Sequence, residues 1–162
     1  MSSYLDLTSA DARQKMLQYV GDTQFTDKLR NAQVSYKDVT VTAAQMDTLN
    51  ATPVSLVAAP GAGKILVLDR VVAFLDAGAT PFELGSGTVD VRYQNSSGGL
   101  AAQLTNAFVE SATDAYFVAY GRDVLALVNQ ALVLYASADV TAGDGVLYLR
   151  LYYRVVEGAK LA

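Results

Sequence analysis

From Val34 onward the chain is a succession of short runs rich in Val, Leu, Ile and Tyr, each closed by a glycine-bearing turn: PGAG, DAGA, GSG, NSSGG and AGDG. This punctuation constrains the fold more than any other feature. Turn signals at such spacing between β-prone runs favour an antiparallel sandwich, of which a jelly roll is the closed version. Strands are expected near 34–41, 54–58, 64–75, 88–94, 115–120, 131–137 and 145–156. The expected fold class is therefore mainly β, an antiparallel β-sandwich of jelly-roll type. A short helix over Thr42–Leu49, capped by Thr42, should bridge two of the strands. LTNAFVESAT reads as a loop or a helical turn, and DVLALVNQ, Asp123–Gln130, fits either helix or strand.

The segment before Val34 follows a different period. Thr8 with Asp11 three residues later suits a helix start, and Ala12, Met16 and Val20 then recur at a spacing of four with Leu17 beside them, until Gly21. A second helix is expected over Thr26–Ala32, and a boundary near Gln33. Residues 1–33 are thus read as an α-helical arm on a β domain spanning 34–162. An apolar stripe as narrow as that of Ala12, Met16, Leu17 and Val20 needs another surface to cover it, from the same chain or a neighbour.

Composition narrows the chemistry. A chain of 162 residues with 52% apolar content is long enough to bury a sizeable core. A net charge of −4 and scattered Lys and Arg argue against nucleic acid as a direct ligand. The absence of Cys excludes thiol catalysis and disulfides and fits folding in a reducing cytoplasm, and the absence of His removes the commonest general base and metal ligand. The start, MSSYLDLTSADARQ, has no secretory pattern, and no apolar run approaches the roughly 20 residues needed to cross a bilayer. A soluble chain with no membrane partner is expected.

APGAGKILVLD, Ala59–Asp69, imitates a phosphate-binding loop. Such a loop needs GxxxxGK followed by Ser or Thr and must open a helix, whose amide groups and dipole hold the anion. Here Gly63 and Lys64 match, but Ala58 stands at the first glycine position, Ile65 at the hydroxyl position, and a β-prone run follows. Asp69 is too close to Lys64 to lie on a separate metal-bearing strand. The expected structure is a β-hairpin turn over Pro60–Gly63, joining VSLVAA to KILVLDRVV. Carboxylates at Asp76, Glu83, Asp90, Glu110 and Asp114, or at Asp139 and Asp144, read as strand-face and loop acids rather than a glycosidase pair or calcium loop. No nucleophile stands beside a base at a recognisable spacing, so no enzyme activity, cofactor or metal is expected.

The most informative run is VLYLRLYYRVV, Val146–Val156. Leu147, Leu149, Leu151, Tyr153 and Val155 share one face at period two and belong to the core. The opposite face alternates Tyr148, Arg150, Tyr152 and Arg154, residue types enriched at protein interfaces because they cover area while keeping a polar tip. An ordinary solvent face and a base-stacking platform are the other readings; an interface with a copy of itself or a partner is preferred. By contrast TVDVRYQ should turn Val89, Val91 and Tyr93 inward and Thr88, Asp90, Arg92 and Gln94 to solvent.

Three segments carry a resemblance. LNATPVSLVAAPGAGKILVLDRVVAFLDAG (Leu49–Gly78), VDVRYQNSSG (Val89–Gly98) and LRLYYRVV (Leu149–Val156) together resemble a family of small structural proteins of tailed bacteriophages. The resemblance spans the β domain and leaves residues 1–33 uncovered. It implies a virion component made in the bacterial host cytoplasm, and, as with many compact sandwiches of this kind, a capsid decoration or cement protein: a homo-oligomer, commonly a trimer, on the outer surface of the major capsid protein shell. Tail, neck or fibre placement, or a carbohydrate-binding module contacting the host, are the alternatives; against the last, sugar platforms usually use Trp and this chain has none.

Overall fold

A computed structural model describes residues 33–122 and 128–157. The expected helical arm, with Ala12, Met16, Leu17 and Val20, lies outside the described residues, as does 123–127. Within them the chain forms β1 (Ser35–Val41), α1 (Ala43–Asp47), β2 (Val54–Val57), β3 (Lys64–Asp76), β4 (Val89–Tyr93), β5 (Leu100–Leu104), α2 (Asn106–Val109), β6 (Ala115–Tyr120), β7 (Leu132–Ala136) and β8 (Val146–Glu157). Each of the seven expected strands is present, and β5 is an eighth. LTNAFVESAT contains the helical turn α2.

Local chemistry explains the short helices. Thr42 caps α1 through a capping box: its backbone N–H donates to Gln45 Oε1 at 3.0 Å, and Gln45 N–H donates back to Thr42 Oγ1 at 3.4 Å. Met46 and Leu49 are fully buried beneath it. In α2, Phe108 is buried and stacks on Phe117 of β6 with ring centroids 5.4 Å apart.

The strands make two antiparallel four-stranded sheets, ordered β1-β8-β3-β6 and β2-β7-β4-β5. Inward residues of both enter one apolar cluster, with Leu66, Val71, Leu149 and Leu151 from the first sheet against Leu56, Val91, Leu132 and Leu134 from the second. The Tyr93 hydroxyl crosses between them, donating to the Leu66 carbonyl at 3.0 Å, and burial pushes its pKa up. Each strand therefore has one face in the core and one facing away, the alternation that period-two patterning demands.

Consecutive strands change sheet at every connection except β4 to β5. This corrects the reading of Pro60–Gly63 as a hairpin. β2 pairs with β7, and β3 pairs with β8 and β6, so PGAG carries the chain from one sheet to the other. The turn is tight all the same: Gly61 and Gly63 have φ of 102° and 74°, Lys64 N–H reaches Gly61 O at 3.2 Å, and Asn129 Oδ1 accepts from Gly61 N–H. The true hairpin is NSSGG between β4 and β5. There a Cβ on Gly98 would stand 1.6 Å from the Tyr93 carbonyl oxygen, so no other residue fits.

β3 contains the irregularity that decides which side chains face out. Leu68 pairs with Tyr153 and Arg70 with Tyr152, so Asp69 is an extra residue in the ladder, a bulge. Leu66 and Leu68 point inward before it, and Val71, Ala73 and Leu75 after it. Gly121 packs against this bulge, its N–H donating to Asp69 O at 2.8 Å where a Cβ would meet the Leu68 carbonyl oxygen at 1.8 Å.

One expectation about the second sheet is overturned. Val89, Val91 and Tyr93 are buried as expected, but Asp90 on the opposite face is only 1% exposed rather than solvated. Its carboxylate accepts from Arg92 Nη2 at 2.8 Å and from Gln103 Nε2 at 3.0 Å, and these neighbours shield it.

Candidate functional site: the outer face of the first sheet

The register of the first sheet places its outward side chains in three rows running across the four strands. One row is Tyr36, Tyr152, Arg70 and Tyr120; the next is Asp38, Arg150, Val72 and Val118; the third is Thr40, Tyr148, Phe74 and Tyr116. Tyr148, Arg150, Tyr152 and Arg154 thus share the outward face, with Leu147, Leu149 and Leu151 buried behind them. Sequence reasoning missed the rest of the rows. AYFVAY carries the same period-two signal, with Tyr116, Val118 and Tyr120 out and Ala119 buried, but Arg70, Val72 and Phe74 fall outward only because of the bulge at Asp69.

Contacts within the rows hold the polar tips. Arg150 makes a forked pair with Asp38, Nε to Oδ1 at 2.7 Å and Nη2 to Oδ2 at 2.8 Å, and its guanidinium carbon lies 4.8 Å from the Tyr36 ring centroid. Arg154 Nε donates to Asp69 Oδ2 at 3.1 Å. Arg70 stacks over Tyr152 at 4.3 Å. Phe74 lies between Tyr116 and Tyr148, with centroids 4.6 and 6.1 Å away. The surface is nevertheless open, since Tyr36, Tyr116 and Tyr120 are 62%, 77% and 71% exposed. Two shallow depressions of ≈ 550 and ≈ 360 Å³ lie on it, the first among Tyr36, Arg70, Tyr120 and Tyr152, the second among Thr40, Phe74, Tyr116 and Tyr148.

The hydrogen bonds from Arg150 hold the Asp38 carboxyl below the ordinary carboxylate range, and Asp38 in turn raises Arg150. A depressed acid pKa stabilises the fold at neutral pH, and that stabilisation is lost as pH falls through the depressed value. Both groups are exposed, so the effect on stability is small and screened by salt. The expected result is a carboxyl titration of Asp38, followed by NMR, with a midpoint below that of an ordinary Asp. Arg150→Gln should move it back up; an unmoved midpoint would show that the fork is absent in solution.

The scattered acids do other work. Glu110, Asp114 and Asp144 each accept from a different backbone N–H, those of Leu84, Ala77 and Thr80, at 2.7, 3.0 and 2.8 Å. They clasp loops at three separate points. Among the described residues, no three Asp or Glu gather around a common point. What the outer face offers is aromatic area with paired guanidinium groups, the chemistry of contact with another surface.

No protein-family model matches the chain, and no curated protein matches it. Solved structures similar to it include two capsids. The cyanophage Pam1 capsid asymmetric unit contains a chain 13% identical, with 75% of this chain and 83% of that chain covered at a TM-score of 0.46. The capsid of Ralstonia phage GP4 contains one also 13% identical, with 76% and 85% covered at a TM-score of 0.42.

Proposed function

We propose that this chain is a virion structural protein, a decoration or cement protein that binds the outer surface of a major capsid shell as a homo-oligomer, a trimer in the simplest arrangement. The observation that carries the reading is the outer face of the first sheet, a Tyr- and Arg-rich surface left open to solvent. The resemblance of segments 49–78, 89–98 and 149–156 to small phage structural proteins supplies the setting. The strand order, with sheet changes at every connection but one, is that of a jelly roll, an architecture used in viral capsid domains. In this reading Tyr148, Arg150, Tyr152 and Arg154 join copies to one another. The segment before the β domain, with Ala12, Met16, Leu17 and Val20, lies across the capsid protein or an adjacent copy. A protein that binds only the assembled shell stabilises it by mass action, and several copies on one oligomer raise avidity without strong single contacts.

Mixing the purified chain with expanded, undecorated heads should give saturable co-sedimentation. Truncating Tyr148 and Tyr152 together to alanine should weaken self-association by about thirtyfold, since buried interface tyrosines are worth about 1 kcal/mol or more each. Absence of co-sedimentation would overturn the cement role. If a glycan array were positive in its place, the open tyrosines would belong to a carbohydrate-binding surface.

A further inference from the structure

We infer that β6 is a junction at which a second copy of this chain adds edge to edge about a two-fold axis, joining two four-stranded sheets into one continuous sheet. This contact uses the sheet edge rather than the Tyr148–Arg154 strand, and it does not depend on the virion role.

The four sheet edges are unequal. An edge strand presents unpaired N–H and C=O groups, and proteins ordinarily guard it with charge, proline, bulges or brevity. β1 carries Lys37 and Asp38. β2 is four residues long, follows Pro53 and is bulged after Ser55. β5 is bulged near Ala101, whose carbonyl already accepts from Arg122 N–H at 2.8 Å. β6 has none of these protections. AYFVAY holds no charge, proline or glycine, and its pairing with β3 runs without a register shift. Among the described residues, no backbone hydrogen bond reaches its other edge. Its outward side chains Tyr116 and Tyr120 are the most exposed large apolar groups described, and Val118 between them is 43% exposed.

The occupant follows from self-complementarity. Residues opposed across an antiparallel pair must share a face, so a two-fold axis falls on a residue rather than between two. With Val118 on the axis, Tyr116 of each copy faces Tyr120 of the other, Val118 faces Val118, and Phe117 faces Ala119 on the inner side. Every opposed pair is apolar or aromatic, the pairs that stabilise cross-strand contacts, and no like charges meet. The three rows of the outer face then continue from one copy into the next.

The chain has no cysteine, which makes the test direct. A residue on the axis opposes itself at about 4.5–5.5 Å between Cα atoms, within the range that a disulfide spans. Val118→Cys should therefore oxidise to a covalent dimer under mild oxidant, while Ser55→Cys on β2 and Ser86→Cys before β4, both exposed and away from this sheet, should not. Val118→Lys should weaken self-association in sedimentation equilibrium by about tenfold or more, because two ammonium groups would face each other. If Val118→Cys cross-links no faster than Ser55→Cys, or the unmodified chain stays monomeric at hundreds of micromolar, the junction does not exist. Rapid cross-linking of Val118→Cys by a chain that fails to co-sediment with heads would sustain the junction and remove only the virion role.

Discussion

Leu151→Ala is expected to lower unfolding free energy by about 3 kcal/mol, within the range of about 2–5 kcal/mol for large-to-small core changes. Leu151 is fully buried at the middle of β8, opposite Lys37 of β1 on one side and Val71 of β3 on the other. Two effects add. The lost methyl groups forfeit transfer free energy at about 0.8 kcal/mol per buried carbon, and the cavity forfeits contacts that the flanking strands cannot move to restore. β8 is hydrogen-bonded on both sides, to β1 and to β3, which limits collapse around the gap and argues for the middle of the range rather than its floor. Denaturant melts should show a lowered midpoint with an unchanged slope, since the surface exposed on unfolding is nearly the same. Val67→Ala, on the outward face of the neighbouring strand, should shift stability by about 0.5 kcal/mol. A Leu151→Ala protein as stable as the Val67→Ala one would mean that the two sheets do not share a core.

Most of the β pattern was legible because it is local. β-branched and aromatic runs between glycines located seven strands, and period two separated Leu147, Leu149 and Leu151 from Tyr148, Arg150 and Arg154. What escaped depends on distant partners. β5 is LAAQL, with weak β-propensity, and its bulge buries Ala101 and Ala102 in succession, which erases the alternation. Pro60–Gly63 was legible as a turn but not as a change of sheet, since a turn sequence fixes local dihedrals and not which strand the next one meets. The outer face was half legible: Tyr148, Arg150, Tyr152 and Arg154 lie on an unbroken strand, whereas Arg70, Val72 and Phe74 follow a bulge that nothing around Asp69 announces. Asp90 misled for the opposite reason. Alternation placed it correctly on the far face of β4, but a position facing away from the core is solvated only if its neighbours leave it so.

Asp90→Ala is the second large expected effect, a loss of about 3 kcal/mol. The Asp90 side chain is 2% exposed and Arg92 is 24% exposed, so the pair sits largely out of water. Oδ2 accepts from Arg92 Nε at 3.1 Å and Nη2 at 2.8 Å, and Oδ1 accepts from Gln103 Nε2 at 3.0 Å. Removing one member of a buried pair costs about 3–5 kcal/mol, mostly because the other charge is left without compensation. Here the guanidinium keeps the Gly98 carbonyl at 3.3 Å and the Tyr135 ring at 5.6 Å, and it can regain some water, which places the effect at the lower end. Asp90→Asn retains one acceptor and should cost about 1–2 kcal/mol. The decisive measurement is the double variant Asp90→Leu with Arg92→Leu. Replacing a buried pair by apolar groups is often neutral or stabilising, so the double variant should recover most of the loss, and the cycle should return a coupling well above the ~0.5 kcal/mol of independent sites. If Asp90→Ala instead behaved as a surface change, within about 0.5 kcal/mol, the carboxylate would be hydrated in solution. The Arg92→Leu single variant of the same cycle reports on the NSSGG hairpin: Arg92 ties β4 to the Gly98 carbonyl, so its removal should raise amide exchange at Tyr93, whose N–H donates to Gly99 O at 3.0 Å, ahead of exchange in β8.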